Sequence, residues 1–224
     1  MSISPPTPAT SATPAPHTRP TKGERTREAI LTHAVRQACV VGIGGLTFGE
    51  LAADLGLSKS GLYAHFRSVE ALQVAVLDRA GDRFAQTVIV PALARPRGER
   101  RVRALADNWI ECCRDREPNG CLFVKSSMEL DEQPGPVRDF LRDQHVRFYD
   151  SLARVVRGGL TTGEFRAGLD AEQFARDWYG LMLGYYHAHR LLADPDAEAR
   201  ARSALDSLIR AARVPADATE GASA

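Results

Sequence analysis

The sequence lacks any long run of apolar side chains. No stretch of the 224 residues approaches the roughly 20 consecutive apolar residues that a membrane-spanning helix needs. The N-terminus also lacks the apolar centre of a secretory signal peptide. These absences argue against helical membrane spans and secretion, so we expect a cytoplasmic protein with no membrane partner.

Patterns typical of metal and cofactor sites are missing as well. The chain has four cysteines, which are Cys39, Cys112, Cys113 and Cys121. None is in CxxC spacing, so we expect thiols in a reducing compartment and favour small core residues over a redox sensor. His187 and His189 stand two residues apart, which on a helix separates their directions by about 200° and hinders chelation of one ion. We therefore predict no metal and no cofactor.

Catalytic signatures are also absent. The glycine-rich segment at residues 42–45 lacks the Lys-Ser/Thr that follows in a phosphate-binding loop, and it comes after a helical pattern, so it indicates a helix end and a turn. No nucleophile and base are paired in a recognisable motif. A small helical enzyme that uses the Cys and His residues is an alternative that no motif supports.

Neither sign of charge dominates, because 29 Lys and Arg oppose 28 Asp and Glu. Residues 1–67 hold seven of the basic and four of the acidic side chains, and the remainder is slightly acidic. This modest basic excess suits local contact with DNA. Residues 1–20 are rich in Pro, Thr, Ser and Ala and are predicted to form a disordered tail, as are residues 215–224. The basic residues at the junction of the first tail with the first helix either add phosphate or minor-groove contacts or form a solvated linker; they are Arg19, Lys22, Arg25 and Arg27.

Residues 46–66 contain the start, stop and restart signals of two short helices. Thr47, with Glu50 three residues later, has the spacing of a capping box and predicts a helix that starts at Phe48. Gly56 supplies the backbone freedom that a helix end or a tight turn requires. The first of the two helices is therefore expected to end at Gly56.

A second cap follows immediately. Ser58 predicts a helix that starts at Lys59, and a further cap at Ser68 predicts that this helix ends near Arg67. Two short helices joined in this way are typical of a helix-turn-helix. The apolar residues expected to form its internal core are Leu51, Ala52, Leu55, Leu57, Leu62 and Phe66.

Hydrogen-bond donors and small polar groups cluster around the second helix. They are Lys59, Ser60, Tyr63, His65 and Arg67. A short helix that projects steeply from its supporting helix can enter the major groove of B-DNA, and the amides at its N-terminus can hold a phosphate. The alternative is a surface hairpin of two helices in some other all-helical protein. Three successive caps with basic and aromatic residues between them favour DNA binding.

The rest of the chain shows helical patterns and few strand-like alternations, which predicts an all-α fold. A capping box at Thr21 and Glu24 opens a helix over residues 22–41, expected to be buried through Ile30, Ala34, Ala38 and Val41. A helix over residues 69–93 is expected to join the N-terminal part to the body. Further helices are predicted over residues 98–116, 121–132, 135–157, 171–193 and 196–213.

At this point the sequence resembles the TetR (tetracycline-repressor-like) family of bacterial transcriptional regulators. The residues that carry the resemblance are Gly45-Leu46-Thr47, Glu50-Leu51-Ala52, Gly56-Leu57-Ser58-Lys59 and Gly61-Leu62-Tyr63-Ala64-His65-Phe66, followed by Ser68 and Leu72. The likeness is close over residues 24–77 and elsewhere is one of helical layout and length. The chain departs from the family at Val69, where a lysine is common.

The resemblance implies about nine helices in two parts. Residues 21–67 would form a three-helix helix-turn-helix DNA-binding domain, and residues 68–214 a larger helical domain for effector binding and dimerisation. The dimer would form through the last two helices, where Gly180 and Gly184 permit close approach or accommodate a bulky neighbour within the chain. The expected DNA-binding residues are Thr47, Ser58, Lys59, Ser60, Gly61, Tyr63, His65 and Arg67.

Bulky, adaptable side chains recur on separate helices of the body. They are Trp109, Cys113, Phe123, Met128, Phe148, Trp178, Met182 and Tyr185. Such residues line apolar ligand pockets, although aromatic and Met residues at helical spacing also form ordinary cores. Because no acidic cluster or metal-ligand set accompanies them, they indicate, together with the resemblance, a small, uncharged or weakly polar and largely hydrophobic effector.

The sequence therefore predicts a transcriptional regulator, expected to be a repressor. It would bind palindromic double-stranded operator DNA as a homodimer and would be released by its effector. A constitutive DNA-binding protein of the same fold, without ligand control, is the alternative.

Overall fold

The computed structural model describes residues 21–114 and 120–215. The two tails predicted to be disordered lie outside this part, except Pro215, as do the last two residues of the helix predicted over 98–116. The described helices are α1 (Lys22–Val41), α2 (Phe48–Leu55), α3 (Lys59–Phe66), α4 (Val69–Phe84), α5 (Val90–Leu93), α6 (Glu99–Arg114), α7 (Leu122–Glu129), α8 (Pro136–Thr161), α9 (Ala171–Arg190) and α10 (Ala197–Ala212).

A π-helical segment, Ala85–Ile89, joins α4 to α5 without a break. Counted as one element, residues 69–93 bring the described helices to nine, as predicted. The described part contains a single isolated β-bridge, between Phe165 and Arg213, and no strand. The all-α prediction is therefore confirmed.

Four side-chain caps set the starts of the N-terminal helices. Thr21 and Glu24 form the predicted capping box at α1. Thr47, Ser58 and Ser68 each accept a hydrogen bond from the backbone N–H three residues later, at 3.2, 3.1 and 3.1 Å. The box predicted at Thr47 is incomplete, because the Glu50 carboxylate accepts from the Thr47 hydroxyl instead of the Thr47 backbone N–H.

Three boundaries in the body differ from the prediction. Helix α7 ends at Glu129 instead of residue 132, because Leu130 leaves the helical backbone conformation. Helix α8 continues beyond the predicted end at residue 157 to Thr161, and α9 ends at Arg190, before the predicted residue 193. Local spacing did not define these ends.

The buried side chains form two clusters. One lies in the body between α6, α8, α9 and α10 and includes Trp109 and Trp178. The other is the core of the first three helices, and it continues into α4, α7 and the first turns of α8 through Leu72, Leu122 and Leu141. The core of the N-terminal part is therefore shared with the body.

Two residues predicted to be buried are exposed. Val41 is 50% exposed because it lies in the last turn of α1, beyond the packed neighbours. Leu57 is 37% exposed because it lies in the turn between α2 and α3. The other predicted core residues of α1, Ile30, Ala34 and Ala38, are buried.

Gly159 tests the packing of the body. A Cβ at this position would overlap the ring of Phe165, and both residues are buried. We expect Gly159→Ala to lower the free energy of unfolding by about 1–3 kcal/mol, as overpacking of a core does. Chemical denaturation measures this change.

Gly158→Ala is the matched control, because the nearest atom to its added Cβ would be Arg97 Cβ at 3.8 Å. We expect it to leave stability unchanged or to raise it by up to about 1 kcal/mol, the helix preference of alanine. Equal effects of the two substitutions would contradict the close contact at Gly159.

Candidate functional site

Helices α2 and α3 form a compact pair around a tight turn. Gly56 adopts the left-handed conformation (φ 63°, ψ 31°), and the next residue, Leu57, donates its N–H to the Ala52 carbonyl at 2.9 Å. Leu51 and Leu62 are fully buried between the helices. This is the geometry that a helix-turn-helix requires.

One side of the pair presents polar side chains to solvent. Lys59 Nζ and Thr47 Oγ1 both lie within 4 Å of the position that a Cβ on Gly49 would occupy, so the start of α2 and the start of α3 share this side. Tyr63 is 52% exposed, and its ring packs edge-on against Phe48 with centroids 4.5 Å apart. The contact holds the tyrosine while leaving its hydroxyl accessible.

The end of α3 is shaped by Arg67. Its backbone lies at a positive φ of 60°, and its N–H donates to the Tyr63 carbonyl at 3.0 Å. His65 is half-buried, and the Arg27 guanidinium of α1 covers the ring of neighbouring Phe66 at 5.1 Å. His65 and Arg67 therefore flank the polar surface instead of forming its centre.

The eight predicted DNA-binding residues are placed together. Six are exposed and two, Gly61 and His65, are half-buried. Ser58 acts as a cap for the Gly61 N–H and also bonds the Ser60 hydroxyl at 3.0 Å. The surface, named here the reading surface, consists of Thr47, Ser58, Lys59, Ser60, Gly61, Tyr63, His65 and Arg67.

A cavity of about 170 Å³ lies in the body, below the reading surface along α4. Its wall is formed by the α4 end and π segment, by α6, α7, α8 and α9. The lining residues are Gly81, Phe84, Ala85, Ile89, Trp109, Cys121, Phe123, Gln144, His145, Arg147, Phe148, Ser151 and Tyr179.

Three of the eight predicted ligand-binding residues, Trp109, Phe123 and Phe148, line this cavity. Four others are described as buried without lining it: Cys113, Trp178, Met182 and Tyr185. Trp178 stacks on Trp109 at 6.0 Å and supports the wall from behind. Met128 is 67% exposed on the outer side of α7, so it belongs neither to the core nor to the cavity.

The polar part of the wall was not predicted from the sequence. Gln144, Arg147, Phe148 and Ser151 follow the i, i+3, i+4, i+7 spacing of one helix face on α8. That spacing was present in the sequence, but it is polar at three of four positions and therefore looks like a solvated face. The sequence pattern predicted a ligand contact for Trp178 and none for its neighbour Tyr179.

His145 and Tyr179 form a hydrogen-bonded pair in the cavity wall. His145 Nδ1 lies 3.0 Å from the Leu141 carbonyl and Nε2 lies 3.1 Å from the Tyr179 hydroxyl. Burial lowers the pKa of His145 and raises that of Tyr179, so both are neutral near pH 7. A carbonyl only accepts, so Nδ1 carries the proton and the Tyr179 O–H donates to Nε2.

Helix α7 is hydrogen-bonded to the N-terminal part. The Glu129 carboxylate accepts from the backbone N–H groups of Ile43 and Gly44 at 2.9 and 2.6 Å. The Lys125 ammonium donates to the carbonyl of Cys39 near the end of α1. We call these contacts the α7 clamp. Phe123, on the same helix, lines the cavity. Helix α7 therefore contacts both the cavity and the N-terminal part.

The cysteines are thiols, as expected. Burial raises the pKa of the Cys39 thiol to about 11, and it also raises the pKa of Cys113 and of Cys121. Thiols with raised pKa values are poor nucleophiles near neutral pH. Cys121 therefore contributes a small apolar surface to the cavity wall.

Across residues 21–114 and 120–215, no group of three or more His, Cys, Asp and Glu is placed to hold a metal ion. In the same ranges, no helix combines the length and the apolarity that crossing a bilayer requires.

A helix-turn-helix joined to a helical body with an apolar cavity defines a class of DNA-binding regulators. Two family models match the chain: "Bacterial regulatory proteins, tetR family" over residues 30–76, and "Tetracyclin repressor-like, C-terminal domain" over residues 98–205. The chain belongs to the TetR family of transcriptional regulators, which are not enzymes, and it has the family's helical ligand-binding domain. No curated protein matches its sequence.

Solved structures show the same fold. A TetR transcriptional regulator from Chloroflexus aurantiacus is 24% identical, with a TM-score of 0.78 over 87% of this chain and 99% of that one. A TetR-family regulator from Cytophaga hutchinsonii is 19% identical, with a TM-score of 0.78 over 88% and 100%. AibR, in complex with isovaleryl coenzyme A and operator DNA, is 23% identical, with a TM-score of 0.66 over 82% and 97%.

The α7 clamp generates a stability prediction. Glu129→Ala removes the acceptor for the Ile43 and Gly44 amides, and we expect the free energy of unfolding to fall by about 1–3 kcal/mol. Glu132→Ala, an exposed acid three residues further along the chain, is the control and should change it by less than about 0.5 kcal/mol. Denaturant titration of both variants is the measurement. A Glu129→Ala protein as stable as the control would show that the clamp contributes nothing to folding.

Proposed function

We propose that this protein is a ligand-responsive repressor. It binds palindromic operator DNA as a homodimer, and a small, largely hydrophobic effector releases it. The observation that carries this proposal is that one chain combines an exposed, capped helix α3 with a cavity in the body. The wall of that cavity includes the C-terminal end of α4. Because it acts on DNA, we place the protein in the cytoplasm.

The reading surface divides by chemistry. Tyr63 and Thr47 are exposed at the edges of the helix pair, where they would meet phosphates. The Thr47 hydroxyl would then exchange its bond to the Glu50 carboxylate for one to a phosphate oxygen. Lys59, Ser60 and Gly61 form the first turn of α3, the part of a recognition helix that approaches base edges. His65 and Arg67 follow at the C-terminal end of α3 and would contact the DNA backbone. Val69, where lysine is common in the family, adds no charge there.

Tyr63 and Lys59 should behave differently in DNA binding. Tyr63→Phe removes one phosphate hydrogen bond, so we expect affinity to fall about five- to tenfold on all sequences alike. Lys59→Met should change which bases are preferred. Fluorescence anisotropy with the selected operator and with single-base variants measures both. Tyr149→Phe, on α8 of the body, is the matched control, and a Tyr63→Phe protein that binds as tightly as this control would contradict the assignment.

The homodimer rests on the outer face of α9 and α10. A Cβ added to Gly180 or Gly184 would meet no atom within 4 Å, so neither glycine accommodates a neighbour within the chain. The two glycines line a shallow groove with Ala188, Ala201 and Leu208. A groove of small and apolar residues lets two helices approach closely. This supports a second copy of the chain as its occupant.

Filling this groove should separate the dimer. Gly184→Trp leaves the interior of each chain undisturbed but blocks close approach of two copies, so we expect a shift from dimer to monomer and a loss of operator affinity. Sedimentation velocity measures the assembly state. Gly23→Leu, at the start of α1, is the control, because the nearest atom to its added Cβ would be Thr21 Oγ1 at 4.0 Å. A Gly184→Trp protein that stays dimeric would place the interface elsewhere.

Effector binding in the cavity would act on the reading surface through two sets of contacts, and the protein would then leave the DNA. Phe84, Ala85 and Ile89 connect the cavity to α4, and Phe123 connects it to α7 and so to the α7 clamp. A ligand that favours wider spacing of these helices would move the reading surfaces of a dimer out of register. A hundredfold loss of DNA affinity requires about 2.7 kcal/mol of differential ligand affinity between the two states.

Selection of bound DNA from a random pool tests the function as a whole. We expect a palindrome whose half-sites are separated by one helical turn or a multiple of it. Enrichment of no sequence would contradict the proposal. Enrichment of a single half-site without symmetry would contradict the dimer. A constitutive regulator would give the palindrome yet show no ligand that weakens binding.

A further inference from the structure

The charge in the cavity wall is of one sign, positive. No Asp or Glu lines the cavity, and its one charged lining residue is Arg147. Two acids on the same helix are near Arg147 in sequence, Asp143 and Asp150, and Asp143 is bonded to Arg142 at 3.1 Å. Within the described part of the chain, no carboxylate pairs with the Arg147 guanidinium. Arg147 is itself exposed, so it supplies a solvent-accessible cation at the border of the cavity.

The remaining wall selects an apolar body of limited size. Rings of Phe84, Trp109, Phe123 and Phe148 surround the space. Its volume of about 170 Å³ is close to the roughly 150 Å³ of an engineered apolar cavity that binds benzene. One aromatic ring therefore fits in this space.

The orientation of the polar groups limits the ligand further. Gln144, Arg147 and Ser151 share the α8 face that borders the cavity, so its polar edge lies along one helix. The Tyr179 hydroxyl donates its proton to His145, which leaves only lone pairs toward a ligand. A second carboxylate would meet this acceptor unfavourably. One anionic group, placed at Arg147, would pair with the one cationic side chain among the lining residues.

We propose that the cavity binds a compact aromatic monocarboxylate, with its ring among Trp109, Phe123 and Phe148 and its carboxylate on Arg147. Arginine presents a planar pair of donors that matches a carboxylate, which an amide or an ammonium group cannot use equally. The role of this compound as the releasing effector rests on the proposed function, whereas its binding does not.

Isothermal titration of the full-length protein with three probes of one shape tests the proposal. The probes are benzoate, benzamide and benzylamine. We expect benzoate to bind at least about fivefold more tightly than benzamide, the size of one partly exposed ion pair, and benzylamine to bind most weakly. Equal affinities, or no binding by any of the three, would overturn the proposal.

Two variants test which arginine binds the carboxylate of the ligand. Arg147→Gln should reduce benzoate affinity to that of benzamide and leave benzamide unaffected. Arg142→Gln, an exposed arginine on the same helix that does not line the cavity, should keep the preference for benzoate. A preference that survives Arg147→Gln would overturn the assignment of the carboxylate to this residue.

Operator binding separates this inference from the proposed function. If the protein alone binds a selected palindrome but shows no preference for benzoate, the ligand class is wrong and the regulator stands. If benzoate binds through Arg147 but no DNA is selected, the ligand site stands and the proposed function fails. Phthalate, which carries two carboxylates on the same ring, should bind more weakly than benzoate, and tighter binding would contradict the acceptor role of Tyr179.

Discussion

The Glu129 carboxylate accepts hydrogen bonds from the backbone amides of Ile43 and Gly44, and this contact fixes how the N-terminal helices sit on the body. Gln73 of α4 donates to the Ile43 carbonyl at 2.9 Å, so both polar groups of one loop residue are bonded from outside the loop. The loop between α1 and α2 is thereby bound to α4 and α7 together. The reading surface begins four residues after Ile43, at Thr47.

The second constraint is the shared core. Leu122 of α7 and Leu141 of α8 pack into the cluster that also contains Leu51 and Leu62 of the helix-turn-helix. A shift of α7 therefore disturbs buried contacts in the N-terminal part as well as the hydrogen bonds of the clamp. Because packed interiors tolerate little change in spacing, movement at the cavity is passed on instead of being absorbed. In this account, the cavity and the reading surface are coupled through α4 and α7 together.

Most of the fold could be predicted from local signals in the sequence. Caps such as Thr21 and Ser58 act within three residues, so the starts of α1 and α3 and the helix-turn-helix could be predicted from spacing alone. The cavity depends on how separate helices are rotated against one another. Trp178 and Tyr179 differ by about 100° around α9, and only the packed structure shows that Tyr179 faces the cavity. Likewise, Glu129 appears as an ordinary surface acid until α7 is placed beside the α1–α2 loop.

The coupling itself is most directly tested without any ligand. Ala85 lines the cavity from the π segment, so Ala85→Phe should fill the space and imitate occupancy. Hydrogen exchange at the Ile43 and Gly44 amides, measured with operator affinity on the same folded protein, reports both ends of the path. The account predicts faster exchange at these two amides together with weaker operator binding. Unchanged exchange and unchanged affinity in a variant that is folded and has a filled cavity would contradict it.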